Sequence, residues 1–404
     1  MVQIFVVNCG SSSIKYRLIS MPDATLVCSG LVERIGAKGT FLIHKVFKKD
    51  EEFVVNKELE TGDHGEALAA VVNVMIDKES GVISSADEIN VIGHRVLHGG
   101  RAFSETVFID DAVKAQIKKL FPLGPLHLPA NYTGIEVAEK LFPKAKQVAV
   151  FDTAFHQTIP PVAYKYAISD EYYEKNGVRV YGFHGTSHKY VSEKAAAYLG
   201  NPKAKIITIH LGNGCSMAAI DAGKCVDTSM GLGPLSGLIM GTRCGDIDAS
   251  VIFHIMERTG MSAEELQNVL NKKSGMLGLC GYSDMRDVKA AIKNGSESAA
   301  LAYEMYAYRI KKYIGSYIAV LNGVDAIVFT GGIGENDGAM RVLAVKGLNF
   351  MGITYDEANT TTSAEGIKEF QAAEANIKVL VVPTNEELEI AKQCYELSTI
   401  KGEG

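Results

Sequence analysis

The 404-residue sequence has no C-x-x-C pair, and its seven cysteines (Cys9, Cys28, Cys215, Cys225, Cys244, Cys280, Cys394) are scattered and odd in number. This argues against a disulfide framework or a cysteine zinc site and points to reduced thiols. There is no Lys/Arg-rich run, and the net charge is −6, so nothing favours a nucleic-acid partner. No stretch approaches the roughly 18 apolar residues of a membrane span. The N-terminus has no basic segment, long apolar segment or small-residue cleavage site, so a cytoplasmic protein without a membrane partner is expected. A G-x-x-x-x-G-K-[ST] phosphate loop is missing, as is any low-complexity linker. What remains is 47% hydrophobic and 22% charged, which fits a globular chain long enough for two domains.

Short β-branched runs alternate with amphipathic stretches. Strands are predicted at 3–7, 90–93, 147–151, 205–210, 325–330 and 377–382, and helices at 187–199, 262–271 and 298–321. Ser187 is read as a helix cap, Gly200 as a stop and Asn322-Gly323 as the end of the long helix. The alternation predicts an α/β fold with helices flanking sheets. One pattern recurs in both halves. IFVV runs into Asn8-Cys9-Gly10-Ser11 and a second apolar run. IITIHL runs into Gly212-Asn213-Gly214 and another. Two strand–turn–strand units suggest a duplicated core, with independent glycine-rich hairpins as the alternative.

Those turns carry chemistry. Glycine lets backbone approach a ligand, and successive N–H groups make anion-binding nests. In NCGSSSIK the serines add donors, Lys15 a cation and Asn8 a neutral amide; a hairpin with solvated serines is the plainer reading. FTGGIGEN follows a strand and opens a helix, which suits a nucleotide or simply a tight turn. Arg95 in GHRVLHGG and Arg243 in GTRCGDID each sit among glycines. A guanidinium fork matches carboxylate and phosphate oxygens, each charge-assisted bond being worth roughly 1.5–3 kcal/mol; a surface ion pair would be worth about 0–1 kcal/mol. Asp152 in FDTAFHQT follows a buried-type strand and is a metal, orienting or capping residue. His184 in YGFHGTSH is either a donor to developing negative charge or a structural histidine. Glu386 and Glu387 in PTNEEL suit water-mediated Mg²⁺ binding or an acidic first helical turn. His127 and His188 carry no assignment.

Taken together, NCGSSSIK, GHRVLHGG, FDTAFHQT, YGFHGTSHKYV, HLGNGCS, MGTRCGDID, FTGGIGEN and PTNEEL resemble the acetate kinase family, in its order, from Asn8 to Glu387. The resemblance implies two ribonuclease-H-like α/β domains of the actin-like ATPase superfamily with a nucleotide cleft, 1–152 plus 388–404 and 153–387, a hinge near 152–154 and domain closure. It implies reversible transfer of the ATP γ-phosphoryl group to acetate with Mg²⁺ or Mn²⁺, in a homodimer. By motif match Arg95, Asp152, His184 and Arg243 are catalytic. Arg95, Leu97, Leu126, Phe183 and Pro234 bind the acceptor. Ser11, Ser13 and Lys15 match a first phosphate loop, and His210, Gly212, Asn213 and Gly214 a second. Asp284, Met285, Arg286, Gly331, Gly332, Ile333, Gly334 and Asn336 match the nucleotide pocket, while Asn8 and Glu386 take the metal role.

The sequence departs from the family pattern at Leu128, where Asn is usual, at Gly233 and Ser236, where Thr and Glu are usual, and in a GYSDMRD turn one residue short. Leu97 stands where acetate kinases often carry Val and propionate kinases Ala, so a smaller acyl pocket is expected. Three other readings stay open: a propionate or other short-chain acid kinase, an actin- or heat-shock-like nucleotide module, and a sugar kinase.

Overall fold

The computed structural model describes residues 1–48, 51–125, 127–356, 366–373 and 375–400. Leu126 lies outside them. By contacts the chain forms two compact units, Met1–Ala154 with Asn385–Gly404, and Phe155–Thr384. Glu386 and Glu387 therefore belong to the first unit, whereas the sequence-based boundary put them in the second.

In the first unit the β-branched run VQIFVVNC becomes β1 (Val2–Cys9), buried along its middle because it lies inside a sheet with neighbours on both sides. It turns at Gly10–Ser12 into β2 (Ser13–Met21), and a meander continues through β3 (Thr25–Glu33), β4 (Thr40–Lys48) and β5 (Glu51–Leu59). After a helix, His64–Met75, come β6 (Val91–Val96), β7 (Val107–Phe108) and β8 (Lys146–Phe151). The order is β5-β4-β3-β2-β1-β6-β8-β7, with β1, β6 and β8 parallel and the meander antiparallel. One apolar layer packs Phe5, Tyr16 and Leu42 against Leu68, Val71 and Met75 of the helix; the opposite layer packs Ile4, Val6 and Val148 against Ile390 and Cys394 of the helix Glu386–Ile400.

The second unit repeats this plan. β9 (Lys205–Leu211), β10 (Cys215–Asp221) and β11 (Lys224–Thr228) form an antiparallel meander, and β12 (Ala326–Thr330), β13 (Lys368–Glu369) and β14 (Lys378–Val381) complete the order β11-β10-β9-β12-β14-β13. Strands β9, β12 and β14 run parallel. The order β3-β2-β1-β6-β8 in one unit thus corresponds to β11-β10-β9-β12-β14 in the other, and the two glycine turns of the sequence occupy equivalent places. This is the ribonuclease-H-like arrangement. Among the described residues no helix is long and apolar enough to cross a membrane.

The three predicted helices are present as Gly185–Tyr198, Ala263–Lys272 and Glu297–Leu321. Asn322, left-handed at φ 52°, ends the last of these. Ser187 is not the cap. His184, left-handed at φ 56°, holds that position, and Ser187 is buried inside the first turn. Its hydroxyl is bonded to His210 Nδ1 at 2.8 Å, so a tertiary contact takes the group that a local rule would spend on the helix end. The helix after FT is also short, Gly331–Asn336, before a second begins with Asp337 as its cap.

Two histidines are enclosed in the first unit. His44 is bonded through Nδ1 to Tyr16 Oη at 2.7 Å, and His94 through Nε2 to Gln147 Oε1 at 2.8 Å. Burial pushes both imidazoles down to about 4 from an ordinary 6.5. Unfolded chains bind these protons near pH 6.5 and the folded protein does not, so the stability from neutral His44 and His94 is complete above 6.5 and is lost as the pH falls through about 4. Denaturant midpoints measured from pH 7 to pH 4 should fall, with His94→Gln flattening part of the slope; a constant midpoint would show that neither ring is buried neutral.

Candidate active site

Each unit gathers polar side chains at the ends of its parallel strands. In the first, β6 carries Arg95, and Asp152 follows directly on its neighbour β8. Arg95 Nη2 donates to Asp152 Oδ2 at 2.9 Å, and its Nε lies 3.7 Å from Glu386 Oε2. The Asp152 side chain is 1% exposed. Burial alone would lower the Arg95 pKa, but the carboxylates of Asp152, Glu386 and Glu387 outweigh it and push the pKa up. Arg95 is therefore held in place and charged, while its Nε has no hydrogen-bond partner among the described residues.

The first glycine turn stands beside it. Asn8 pairs with Lys15 across β1 and β2. Lys15 Nζ reaches Glu387 at 2.5 Å, and Arg17 approaches the same carboxylate at 3.6 Å. Glu387 is pulled below its ordinary value by these two cations against the opposing effect of burial. The charge of Lys15 is thus already matched by a carboxylate. Asn131, which the motif reading passed over, fastens the turn to β6: its Nδ2 donates to Cys9 O at 2.7 Å and its Oδ1 accepts from Leu97 N at 3.0 Å. Leu128 fills the core between Val96, Tyr132 and Phe151, so the departure from Asn there is a core apolar residue and not a lost ligand. Leu97 packs on the edge of the same cluster.

The second unit holds a histidine cluster. His184 Nδ1 is bonded to Ser216 Oγ at 2.8 Å, and its ring stacks on His210 with centroids 4.5 Å apart. Gly214 permits this approach, since a Cβ there would sit 3.3 Å from His184 Nε2 and 3.8 Å from Arg243 Nη1. The second glycine turn, His184 and Arg243 are therefore neighbours. Arg243 Nη1 donates to Pro234 O at 2.9 Å, so Pro234 contributes its carbonyl to holding the guanidinium. Burial lowers the Arg243 pKa, with Cys215 opposing weakly. Among the described residues Arg243 has no carboxylate within ion-pair distance, in contrast to Arg95. Phe183 is buried and accepts a hydrogen bond from His156 Nε2 at 3.0 Å through its carbonyl.

A cavity of about 640 Å³ opens alongside, lined by Gly212, Asn213, Asp284, Met285, Arg286, Gly332, Ile333 and Asn336, all predicted from the sequence. Gly214, His210, Gly331 and Gly334 are not among its lining residues. Gly331 instead lets the turn press on β9: at φ +79° a Cβ would meet Leu211 O at 2.8 Å. Arg286 forms a two-pronged pair with Asp284, Nη2 to Oδ2 at 2.6 Å and Nε to Oδ1 at 3.0 Å, and it draws the Asp284 carboxyl down to about 2. The cavity also takes Met276, Lys289, Tyr306 and Asp337, which the sequence reading missed because they lie mid-helix or at a helix cap without a local motif. Leu126 falls outside the described residues.

The model of the acetokinase family matches residues 3–392. The chain is 52% identical over 403 residues to acetate kinase of Thermotoga maritima, covering 98% of each. The solved acetate kinase of Porphyromonas gingivalis superposes with a TM-score of 0.92 at 44% identity, covering 98% of this chain and 100% of that one. A propionate kinase from Francisella tularensis is similar too, with a TM-score of 0.91 at 41% identity and the same coverage, 98% and 100%.

Proposed function

The chain belongs to the acetokinase family, and from that premise we propose that it is an ATP:acetate phosphotransferase, moving the γ-phosphoryl group of ATP to acetate and back. The products are acetyl phosphate and ADP. The observation that carries this reading is Arg243, a partly buried guanidinium with no carboxylate partner among the described residues, beside His184 and a glycine turn. Such a cation calls for an anionic ligand.

Acetate is already ionised at neutral pH and needs no base to become a nucleophile. One carboxylate oxygen forms the new bond to γ-phosphorus as the bond to the β–γ bridging oxygen breaks, and ADP leaves. The barrier lies in bringing two anions together in line, a task of positioning and charge compensation. Arg95 and Arg243 hold the carboxylate and the transferring phosphoryl group, and His184 donates to the equatorial oxygens. Asp152 acts by fixing Arg95. The cavity lined by Gly332, Asn336 and Asp284 takes the nucleoside, with Asn213 and Gly212 at the phosphates. Ser11 and Ser13 supply further phosphate donors.

Mg²⁺ belongs to the proposal, with Mn²⁺ as a substitute. Among the described residues no group of three or more His, Cys, Asp or Glu forms an all-protein cage. The oxygens of Asn8 and Glu386 nevertheless suit a hard cation that keeps its water and binds mainly through phosphates. Bound there, the ion would neutralise phosphate charge. A homodimer and a cytoplasmic location complete the reading; the helix Ala249–Thr259, which buries none of its residues and leaves Phe253 71% exposed, supports a second copy as its cover.

Hydroxamate formation from ATP, acetate and hydroxylamine tests the activity. Arg243→Ala should lower turnover by about 10³-fold or more with an unchanged circular dichroism spectrum, since no ion pair is lost; near-normal synthesis would refute its role. Leu97 governs acceptor size in this reading, with propionate as the alternative acceptor. One methylene discriminates by about 1–3 kcal/mol, so Leu97→Ala should move the acetate-to-propionate ratio of kcat/KM toward propionate by about tenfold. An unchanged ratio would remove Leu97 from acceptor recognition.

A further inference from the structure

The second unit contains a buried hydrogen-bonded file that the phosphoryl-transfer reading does not use. It runs from Thr208 on β9, through His188 in the helix Gly185–Tyr198, to Ser216 on β10 and so to His184 at the helix cap. Thr208 Oγ1 is 2.7 Å from His188 Nδ1, His188 Nε2 is 2.7 Å from Ser216 Oγ, and Ser216 Oγ is 2.8 Å from His184 Nδ1. Thr208, His188 and Ser216 are each 0% exposed.

We propose that Ser216 and His188 are positioning residues that fix His184 as the tautomer with its proton on Nε2. Thr208 has one hydroxyl proton, and among the described residues its side chain has a single partner, His188 Nδ1, so the hydroxyl donates there. That places the His188 proton on Nε2, which donates to Ser216 Oγ. Ser216 then has one acceptor left for its own proton, His184 Nδ1. With Nδ1 accepting, a neutral His184 carries its proton on Nε2, which would lie 3.3 Å from a Cβ at Gly214, a point 3.8 Å from Arg243 Nη1. The reverse direction strands the Thr208 proton in the core. A doubly protonated His184 would aim its Nδ1–H at Ser216 Oγ beside the N–H of His188 Nε2 and strand the serine proton instead.

The surroundings hold His188 neutral, as the file requires. Burial lowers its pKa well below the ordinary value, and His156, His210 and His184 add to the effect. His156 is occupied separately, with Nδ1 3.1 Å from Cys225 Sγ and Nε2 on Phe183 O. His210 stacks on His184 and bonds through Nδ1 to Ser187. The result is a donor whose direction is set before substrate arrives, which is how a hydrogen bond stabilises developing charge without reorganisation.

The proposal rests on the role of His184 given above, and the experiment separates the two. In full-length enzyme labelled with ¹⁵N-histidine, long-range ¹H–¹⁵N correlation reads the tautomer of each ring, the His184 signals being assigned with His184→Gln. Wild-type His184 should show a protonated Nε2 and a bare Nδ1. Ser216→Ala, and independently the near-isosteric Thr208→Val, should each give a mixture. Removing a donor at such a site costs roughly 10²–10³-fold, so losing only its orientation in Ser216→Ala should lower kcat about tenfold, with KM for acetate and ATP within about twofold. Ser216→Thr should restore both tautomer and kcat. A wild-type His184 protonated on Nδ1, or an unchanged tautomer in both Ser216→Ala and Thr208→Val, would overturn the proposal. A shifted tautomer with unchanged kcat would uphold the file and overturn the role of His184 in transfer.

Discussion

The buried pair between Arg95 and Asp152 sets the terms for the first unit's site. A guanidinium inside a protein needs compensation, and the carboxylates of Asp152, Glu386 and Glu387 supply it. Their consequence is geometric as much as electrostatic, because Arg95 is anchored to the end of β8 by a hydrogen bond and cannot wander. The second unit solves the problem differently. Arg243 leans on a backbone carbonyl, and no carboxylate neutralises it among the described residues. One arginine is thus a fixed post and the other a charge awaiting its counter-ion.

Four histidines, His156, His184, His188 and His210, cluster with Ser187, Ser216 and Thr208. Burial disfavours the charged form of His188, which serves here as a hydrogen-bonding group and not as a charge. The glycines serve the same end. At Gly214 the absence of a side chain lets the His184 ring and Arg243 approach the turn, and at Gly331 a positive φ presses the turn onto Leu211.

Much of this could be read from the residues alone. The strands at 3–7 and 205–210 and their glycine turns were legible because central parallel strands are continuous apolar runs and their turns need glycine. The duplication followed from the repeat of that unit and is visible in the matched strand orders. Less legible were features decided by tertiary contact. The meander β3 to β5 carries a mixed apolar and polar pattern without a sharp signal. Ser187 has the look of a cap and is instead drawn inward by His210. Lys15 has the look of a phosphate ligand and is held by Glu387, 372 positions away by its number in the chain, which no local pattern could reveal. Asn131 and Ser216 carry no motif of their own, and their roles arise from what β6 and the helix cap bring beside them.

The central claim is that unneutralised guanidinium charge, and not merely the shape of an arginine, drives the transfer. Chemical rescue tests this most directly. Arg243→Ala should regain acetyl phosphate synthesis when guanidinium chloride is added at non-denaturing concentration, and should gain nothing from urea, which is planar and of like size but uncharged. Equal rescue by urea, or full activity of the variant without either additive, would contradict the account.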